Sequence, residues 1–537
     1  MDTQTIYRRR WVILSVLIIG LLAIVIDNTV LNVALKTIAE PRGGLGASQS
    51  QLEWAINSYT LVFAGLLFTF GVIGDRVGRK RMLMIGLALF GVASLLSAYS
   101  RSPEQLIFAR AAMGLGGAAV MPQTLSIISN VFEPAERPRA IGLWAMAVGL
   151  GIAAGPVLGG ALLDHFWWGS VFLINVPVTV VGAIAAAILV PESRNHEAGG
   201  IDYAGVLLSI AGLVLLIYGI VQGGDTGSWL RPDVLGPIAG GLAILAVFAW
   251  YETRIKHPSL DVRLFRDRRL SASVGAIALV FFGMGGVYFF ISFYLQNVRG
   301  YTPLQAGLLT VPFAVGQLLL SPRSASLVQR YGAKAAGAAG MFVMAGALAA
   351  YATLGTTSPI WLLALFFGIQ GAAMGVVMPA ATAEVMDVVP RERAGAGSAL
   401  TNTSRQVAVA LSVAVLGSIL ADFYRNALSP ALTGLPAAAR SAASSSITAT
   451  QAVAQQLGPA GRSLLGPAND AFVHSMHITT LIAAVLALAG GLVVLRWMPG
   501  KARPAAQTSE PTAGGVAYEA ELAIMEEDML NTAHREG

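Results

Sequence analysis

The chain has 537 residues, of which 55% are hydrophobic and only 12% are charged, and its mean hydropathy is +0.67. A soluble protein with a polar surface does not reach these values, so the composition excludes a soluble globular protein and indicates a membrane protein. The absence of cysteine excludes disulfides and cysteine–metal chemistry.

Fourteen stretches are uncharged, or nearly so, over a length that lets one helix cross about 30 Å of hydrocarbon. The first follows Arg8, Arg9 and Arg10, but it is too long for a signal peptide and contains Asp27, so we interpret it as an uncleaved helix. The predicted spans are 12–34, 53–73, 82–99, 104–128, 140–162, 170–190, 203–221, 233–251, 271–296, 304–327, 335–353, 360–383, 396–420 and 475–497.

Lys and Arg are distributed unevenly between the two sides of this predicted topology. The segments on the side of the termini carry 25 basic residues, the opposite loops carry 8, and Arg110 and Arg405 fall within spans. The asymmetry predicts that both termini are cytoplasmic. It also accounts for the net charge of +6 without a nucleic-acid partner.

The chain contains an internal repeat. "GLGGAAVMP" (114–122) in the fourth span recurs as "GAAMGVVMP" (371–379) in the twelfth. Two six-helix bundles around a central cavity are a transporter architecture. The predicted organisation is a cytoplasmic N-terminus 1–11, an N-terminal bundle 12–190, an inserted helix pair 203–251, a C-terminal bundle 271–497 with a long extracellular loop 423–474, and a mostly disordered cytoplasmic tail 498–537.

Asp27 is the first candidate functional residue. A carboxylate at membrane depth is costly unless it is paired, hydrated or protonated, so its presence there is a functional hypothesis. At ~1.5 Å per residue, Asp27 lies about 8 Å and Arg110 about 10 Å below the outer face, which makes them candidate partners. Burial favours a neutral carboxyl and a nearby guanidinium favours the charged form, so the pair predicts a proton-coupling site. The alternative is a static ion pair.

"GVIGDRVGRKR" (71–81) resembles the loop motif between the second and third helices of the major facilitator superfamily. "IDNTVLNVAL" (26–35), "LIFARAAMGLGGA" (106–118) and "GIAAGPVLGG" (151–160) are similar to motifs of its fourteen-helix drug:proton antiporters. "FWWGSVFLINVP" (166–177) resembles the branch that exports quaternary ammonium compounds. The resemblance covers about residues 8–500 and implies an all-α membrane protein with the major facilitator fold, that is, two six-helix bundles plus two inserted helices.

The resemblance also assigns roles to two sets of residues. A cytoplasmic gate that latches the two halves together comprises Gly71, Gly74, Asp75, Arg76, Gly78, Arg79 and Lys80. The antiporter motif of the fifth helix, expected to present a smooth face to a helix of the other half, comprises Gly151, Gly155, Pro156, Gly159 and Gly160. The alternatives are a solvated charged turn for the first set and ordinary small-residue packing for the second.

Aromatic residues and a methionine in the ninth span suit flat cationic substrates, with ordinary packing or lipid contact as the alternative. Candidate cavity residues are Glu53, Trp54 and Tyr59 in the second helix and Met284, Tyr288 and Phe289 in the ninth.

Lys36 and Met113 depart from the family motifs. The tenth span lacks an acidic residue and the thirteenth carries Arg405 without an interior carboxylate, which argues against a broad range of dications.

These features predict a proton-coupled antiporter that exports lipophilic, cationic drugs, such as quaternary ammonium compounds, dyes and antibiotics. We expect a monomer in the lipid bilayer that is not an enzyme and has no cofactor or metal, and without a P-loop motif it should not use ATP. Two alternatives keep the fold: a dedicated exporter of one endogenous metabolite, lipid or antibiotic, and a nutrient:proton symporter. A receptor or passive facilitator is a third, and it would need no ion pair at matched depth.

Overall fold

A computed structural model of the chain describes residues 3–133, 136–194, 202–255, 258, 260, 262–388 and 394–498, and these residues form helices without any strand. The predicted tail, apart from Met498, lies outside the described residues. The α-helices are α1 Thr3–Ala39, α2 Gln49–Val77, α3 Arg79–Ala98, α4 Pro103–Val131, α5 Arg137–His165, α6 Ser170–Leu173, α7 Asn175–Leu189, α8 Tyr203–Thr226, α9 Pro232–Glu252, α10 Arg268–Phe293, α11 Pro303–Leu308, α12 Val311–Tyr331, α13 Ala333–Ala350, α14 Ile360–Val388, α15 Ala394–Leu428, α16 Ala437–Ser444, α17 Ile447–Gln456 and α18 Arg462–Trp497.

The number of spanning helices agrees with the prediction. Among the described residues, thirteen helices are long and apolar enough to cross a bilayer, and α2 gives a fourteenth if the two arms on either side of its 53° bend count as one span. The sixth predicted span is broken into α6 and α7, and the tenth into α11 and α12. The predicted loop 423–474 is largely helical, because α15 and α18 extend beyond their predicted spans and α16 and α17 lie between them.

The helices form two bundles, as predicted for the major facilitator fold. Helices α1–α7 pack on one another, and so do α10, α12–α15 and α18, whereas α11 packs mainly on α5 of the other bundle. The inserted helix α8 packs on α9, α2 and α15, so the pair lies beside the place where the two bundles meet. A small buried apolar cluster joins these helices, with Leu61 from α2, Ile217 and Val221 from α8, and Ala410 and Ala414 from α15.

Several contacts join the two bundles on one side of the molecule. We call the side that holds Thr3 and Trp497 the terminal side, and the opposite side the distal side. On the distal side, the Lys36 Nζ donates to the Gln296 carbonyl at 3.1 Å, and the Gln296 amide donates to the Val33 carbonyl at 2.9 Å. The Gln49 side chain also donates to the Gly417 carbonyl at 2.9 Å. These bonds hold the distal side closed.

Gly160 and Gly307 let the backbones of α5 and α11 approach closely on the distal side. A Cβ on Gly160 would lie 2.5 Å from the Leu304 Cα and the Pro303 carbonyl oxygen, and a Cβ on Gly307 would overlap the Pro156 carbonyl oxygen, so α5 and α11 meet this closely only because both positions are glycine. Of the motif residues, Gly160 and Pro156 face α11 of the other half. Three other glycines of the motif, Gly151, Gly155 and Gly159, face α1 of their own bundle instead.

The Gly160 contact predicts the effect of adding a side chain. Gly160→Val should push α5 and α11 apart on the distal side, because the new methyl groups would overlap the backbone of Leu304. The measurement is the distance between spin labels on Leu158→Cys and Leu308→Cys, which are the only thiols in an otherwise cysteine-free chain. Gly149→Val is the matched control, because no atom lies within 4 Å of a Cβ there. An unchanged distance in Gly160→Val would contradict this account of the contact.

Candidate proton and substrate site

Asp27 and Arg110 form a buried ion pair in the N-terminal bundle. The Arg110 Nη1 donates to the Asp27 Oδ2, and the two residues are 2% and 0% exposed, respectively. Asp27 lies in α1 and Arg110 lies in α4. The sequence predicts that these two residues lie at similar depth in the membrane. Since neither group has access to bulk water, each charge depends on its partners within the protein.

Arg110 also has neutral partners. Its Nε donates to the Ala55 carbonyl at 3.1 Å, and its guanidinium lies 4.4 Å from the centre of the Tyr59 ring. The Met113 sulfur lies 3.7 Å from Nη1. These contacts help to stabilise the cation whether or not Asp27 carries a charge. Arg110 therefore has partners that do not depend on the charge of Asp27.

Asn175 completes the site and was not among the predicted residues. Its side-chain amide donates to the Asp27 Oδ1 at 3.0 Å, and the residue is 1% exposed. It is the first residue of α7, directly after the break that separates this helix from α6. An asparagine within an otherwise largely apolar span was the signal available in the sequence. The hydropathy pattern shows the span but not the break.

The cavity between the bundles begins beside this ion pair. It has a volume of about 110 Å³ and is lined by α1, α2, α4 and α5 from one half and by α10 and α15 from the other. Most lining side chains are apolar, and the polar ones include Asn28, Asn32, Thr60 and Gln406. Arg110 and Arg405 contribute the charges. A lipophilic ligand fits such a lining, with the polar groups available to orient it.

The six candidate cavity residues occupy different places. Met284 and Tyr288 line the cavity. The Tyr59 ring lies under Arg110 and its hydroxyl accepts a bond from Asn28 at 3.1 Å, so it belongs to the ion-pair site. Trp54 packs instead on the apolar cluster between α2, α8 and α15.

Glu53 and Phe289 lie near each other outside the cavity. Both pack closely against the Cα of Gly417 in α15, and Glu53 is 2% exposed. The Glu53 Oε1 accepts a long bond of 3.4 Å from Gln49, while its Oε2 has no hydrogen-bond partner among the described residues. The predicted cation contact of Glu53 is therefore not supported by its position in this conformation, where the carboxyl faces a junction between the bundles.

The predicted gate residues make contacts within the N-terminal bundle. The Arg79 Nε donates to the Asp75 Oδ1 at 2.7 Å, and the Lys80 Nζ donates to the Ala187 carbonyl at 2.6 Å. Gly78 has a φ of +128°, and the Glu192 carboxylate lies only 2.6 Å from where its Cβ would be, so another residue would be strained there. Among the other predicted gate residues, Gly71 faces Pro122 of α4 and Gly74 faces Gln123 of the same helix. Arg76 is exposed.

Comparisons with known proteins identify the family. The family model of the Major Facilitator Superfamily matches residues 17–413. The chain belongs to this superfamily. It is 36% identical over 490 residues to the multidrug efflux pump LfrA of Mycolicibacterium smegmatis, a match that covers 90% of this chain and 96% of that protein. It is 32% identical over 491 residues to the methyl viologen resistance protein SmvA of Salmonella typhimurium, covering 90% and 98%.

The solved structures agree on the fold. A bacterial homologue of the human lysosomal transporter Spinster, crystallised in an inward-facing and unoccupied conformation, superposes with a TM-score of 0.64 at 18% identity, covering 92% of this chain and 99% of that chain. The predicted family and fold class are confirmed, and the protein is a multi-pass membrane transporter rather than an enzyme. Within the described residues, no group of three or more His, Asp or Glu side chains is placed to hold a metal ion.

The burial of the ion pair predicts a non-additive effect on stability. Asp27→Leu should lower the stability by about 3–5 kcal/mol, because it leaves the Arg110 charge buried without its counter-ion. The double variant Asp27→Leu with Arg110→Met should recover much of this loss. Thermal unfolding of the purified variants in detergent measures both effects.

The control for this prediction is the exposed ion pair of Arg231 and Asp233, whose side chains are 55% and 46% exposed. Asp233→Leu should change the unfolding temperature little, because water already hydrates both charges. A double variant at the buried site that is no more stable than Asp27→Leu alone would contradict the interpretation of a mutually dependent pair.

Proposed function

We propose that the protein is a proton-coupled antiporter that exports lipophilic drugs. The observation that carries the proposal is the position of the Asp27–Arg110 pair, which is buried and yet adjoins the cavity through Arg110. Similarity to the multidrug efflux pump LfrA and the methyl viologen resistance protein SmvA supports drug export as the activity. The apolar lining and the aromatic side chain of Tyr288 suit lipophilic substrates, cationic ones included.

In this proposal Asp27 carries the proton. When Asp27 is charged, it accepts bonds from Arg110 and Asn175. When it is protonated, the ionic attraction is lost, and Arg110 keeps the Ala55 carbonyl and the Tyr59 ring as partners. Because Arg110 also lines the cavity, a bound substrate can shift the balance between these two states. A substrate with a positively charged group favours the charged form of Asp27, so its binding releases the proton. Protonation from the other side of the membrane then expels the substrate.

The distal contacts supply the gate on one side. The hydrogen bonds of Lys36, Gln49 and Gln296, together with the close approach at Gly160, must break before the cavity can open to the distal side. The loop that contains Asp75 and Arg79 would form the corresponding latch on the terminal side after the bundles rock against each other. The distal side is then the closed side in the present conformation. Loading a drug from the terminal side requires the cavity of about 110 Å³ to widen, because drug-sized sites have volumes of about 300–1,000 Å³.

The charge distribution supports the proposed orientation in the membrane. The basic segments lie on the terminal side, which we assign to the cytoplasm of a bacterial plasma membrane, with α16 and α17 on the outer face. The tail 498–537 is assigned to the cytoplasm and the transporting unit to the monomer, since the cavity and the ion pair are formed within one chain.

The test uses purified protein in proteoliposomes with ethidium as the transported dye. An imposed pH gradient should drive ethidium transport by the unmodified protein and fail to drive it with Asp27→Asn, because the amide cannot take up and release a proton. Asp233→Asn, at an exposed site on the distal side, is the matched control and should transport at the normal rate. Full pH-driven transport by Asp27→Asn would refute the assigned role of Asp27.

A further inference from the structure

Arg405 is the second charged residue of the cavity, and the proposed mechanism does not use it. It lies in α15 of the C-terminal bundle, across the cavity from α1. Its guanidinium lies 5.2 Å from the centre of the Phe281 ring, which also lines the cavity. The residue is therefore held against an aromatic wall with its charge beside the space where a ligand would bind.

The charge of Arg405 is not balanced within the described part of the chain. No carboxylate lines the cavity, and no described acidic side chain lies within salt-bridge distance of Arg405. Arg110, the other lining arginine, is neutralised by Asp27. The cavity as a whole is thus positive when Asp27 is charged, and more so when Asp27 is protonated.

A charged side chain at membrane depth is costly and in general marks a functional site, with its partner to be identified. The Phe281 ring offers about 0.5–2 kcal/mol of cation–π energy. Because Arg405 is only partly buried, the rest of its guanidinium is open to the cavity. Packing alone would favour an apolar residue here. The partner that fits is an anionic group that arrives with the ligand.

We propose that Arg405 recognises an acidic group on the substrate, so that the substrates include lipophilic aromatic molecules with one carboxylate, sulfonate or ionised phenol. This inference rests on the proposed function and specifies its substrate class. The side-chain amide of Gln406 lies next to Arg405 along the lining and can donate a second hydrogen bond to such a group. Phe281, Met284 and Tyr288 provide the surface for the aromatic body.

The same arrangement sets the response to cations. A compound whose only charge is positive is repelled by Arg405, and the aromatic surfaces alone must hold it. A zwitterion presents its acid to Arg405 and its cation to the aromatic side chains. Removing the Arg405 charge should therefore weaken binding of the acid-bearing compound and leave binding of the plain cation unchanged or stronger.

The test compares two dyes that differ by one acidic group: tetramethylrhodamine, which carries a free carboxylate, and its methyl ester. Their binding to the purified protein is measured by fluorescence anisotropy, and their transport is measured in proteoliposomes. Arg405→Gln should weaken binding of the free acid by about 10–100-fold, as expected for the loss of a hydrogen bond between charged groups. Binding of the ester should not weaken. Arg405→Lys should retain part of the affinity for the acid.

Arg323→Gln is the matched control, because Arg323 is exposed on α12 and should affect neither dye. Equal losses for acid and ester in Arg405→Gln would show that Arg405 only supports the structure, and unchanged binding of the acid would exclude a recognition role. Binding and transport together separate the two proposals. If the unmodified protein binds the acid through Arg405 but a pH gradient drives neither dye, the proposed function fails and the recognition site stands.

Discussion

The structure depends on one interaction, the burial of a carboxylate against a guanidinium inside an apolar bundle. Asp27 and Arg110 each carry a charge that hydrocarbon does not tolerate, and each makes the other acceptable. Their contact joins α1 to α4, and Asn175 joins the same carboxylate to α7. A change in the charge of Asp27 therefore alters the contacts among three helices of the N-terminal bundle at once. A coupling site requires this property.

The cavity connects this site to the other bundle. One wall carries Arg110, whose charge is matched, and the opposite wall carries Arg405, whose charge is not. The closed distal side keeps the space between these walls out of contact with one face of the membrane. A ligand that brings an acid into this space makes contact with the C-terminal bundle through Arg405. The rest of the ligand lies beside Arg110 of the N-terminal bundle, so the same molecule contacts both bundles.

Much of this architecture could be predicted from the sequence, because it follows from properties averaged over whole spans, such as hydropathy and length. Span length and hydropathy give the fourteen helices, and depth along a helix gives the match between Asp27 and Arg110. The break before Asn175 could not be predicted in this way, since it is a local change of backbone direction inside one apolar run. The direction of the antiporter-motif glycines was equally hidden, because a bare helix face does not specify which neighbour covers it.

The environments of individual side chains were predicted less well, because the sequence does not specify which neighbouring helix covers a given face. Trp54 and Glu53 lie in the predicted second helix, yet they face the junction with α8 and α15, whose position depends on how the inserted pair packs. Met284 and Tyr288 do reach the cavity. Arg405 stood out in the sequence as a charge within a span, but its place opposite Arg110 emerges only when the two bundles are brought together.

The most direct test of the account is the number of protons that the purified protein releases when it binds substrate. A pH-indicator dye in weakly buffered detergent solution can follow this release as ethidium is added. The account predicts that the unmodified protein releases protons near neutral pH and that Asp27→Asn binds ethidium without releasing any. Equal release by both proteins, or none by the unmodified protein at any pH where it binds ethidium, would contradict the claim that Asp27 exchanges its proton with substrate.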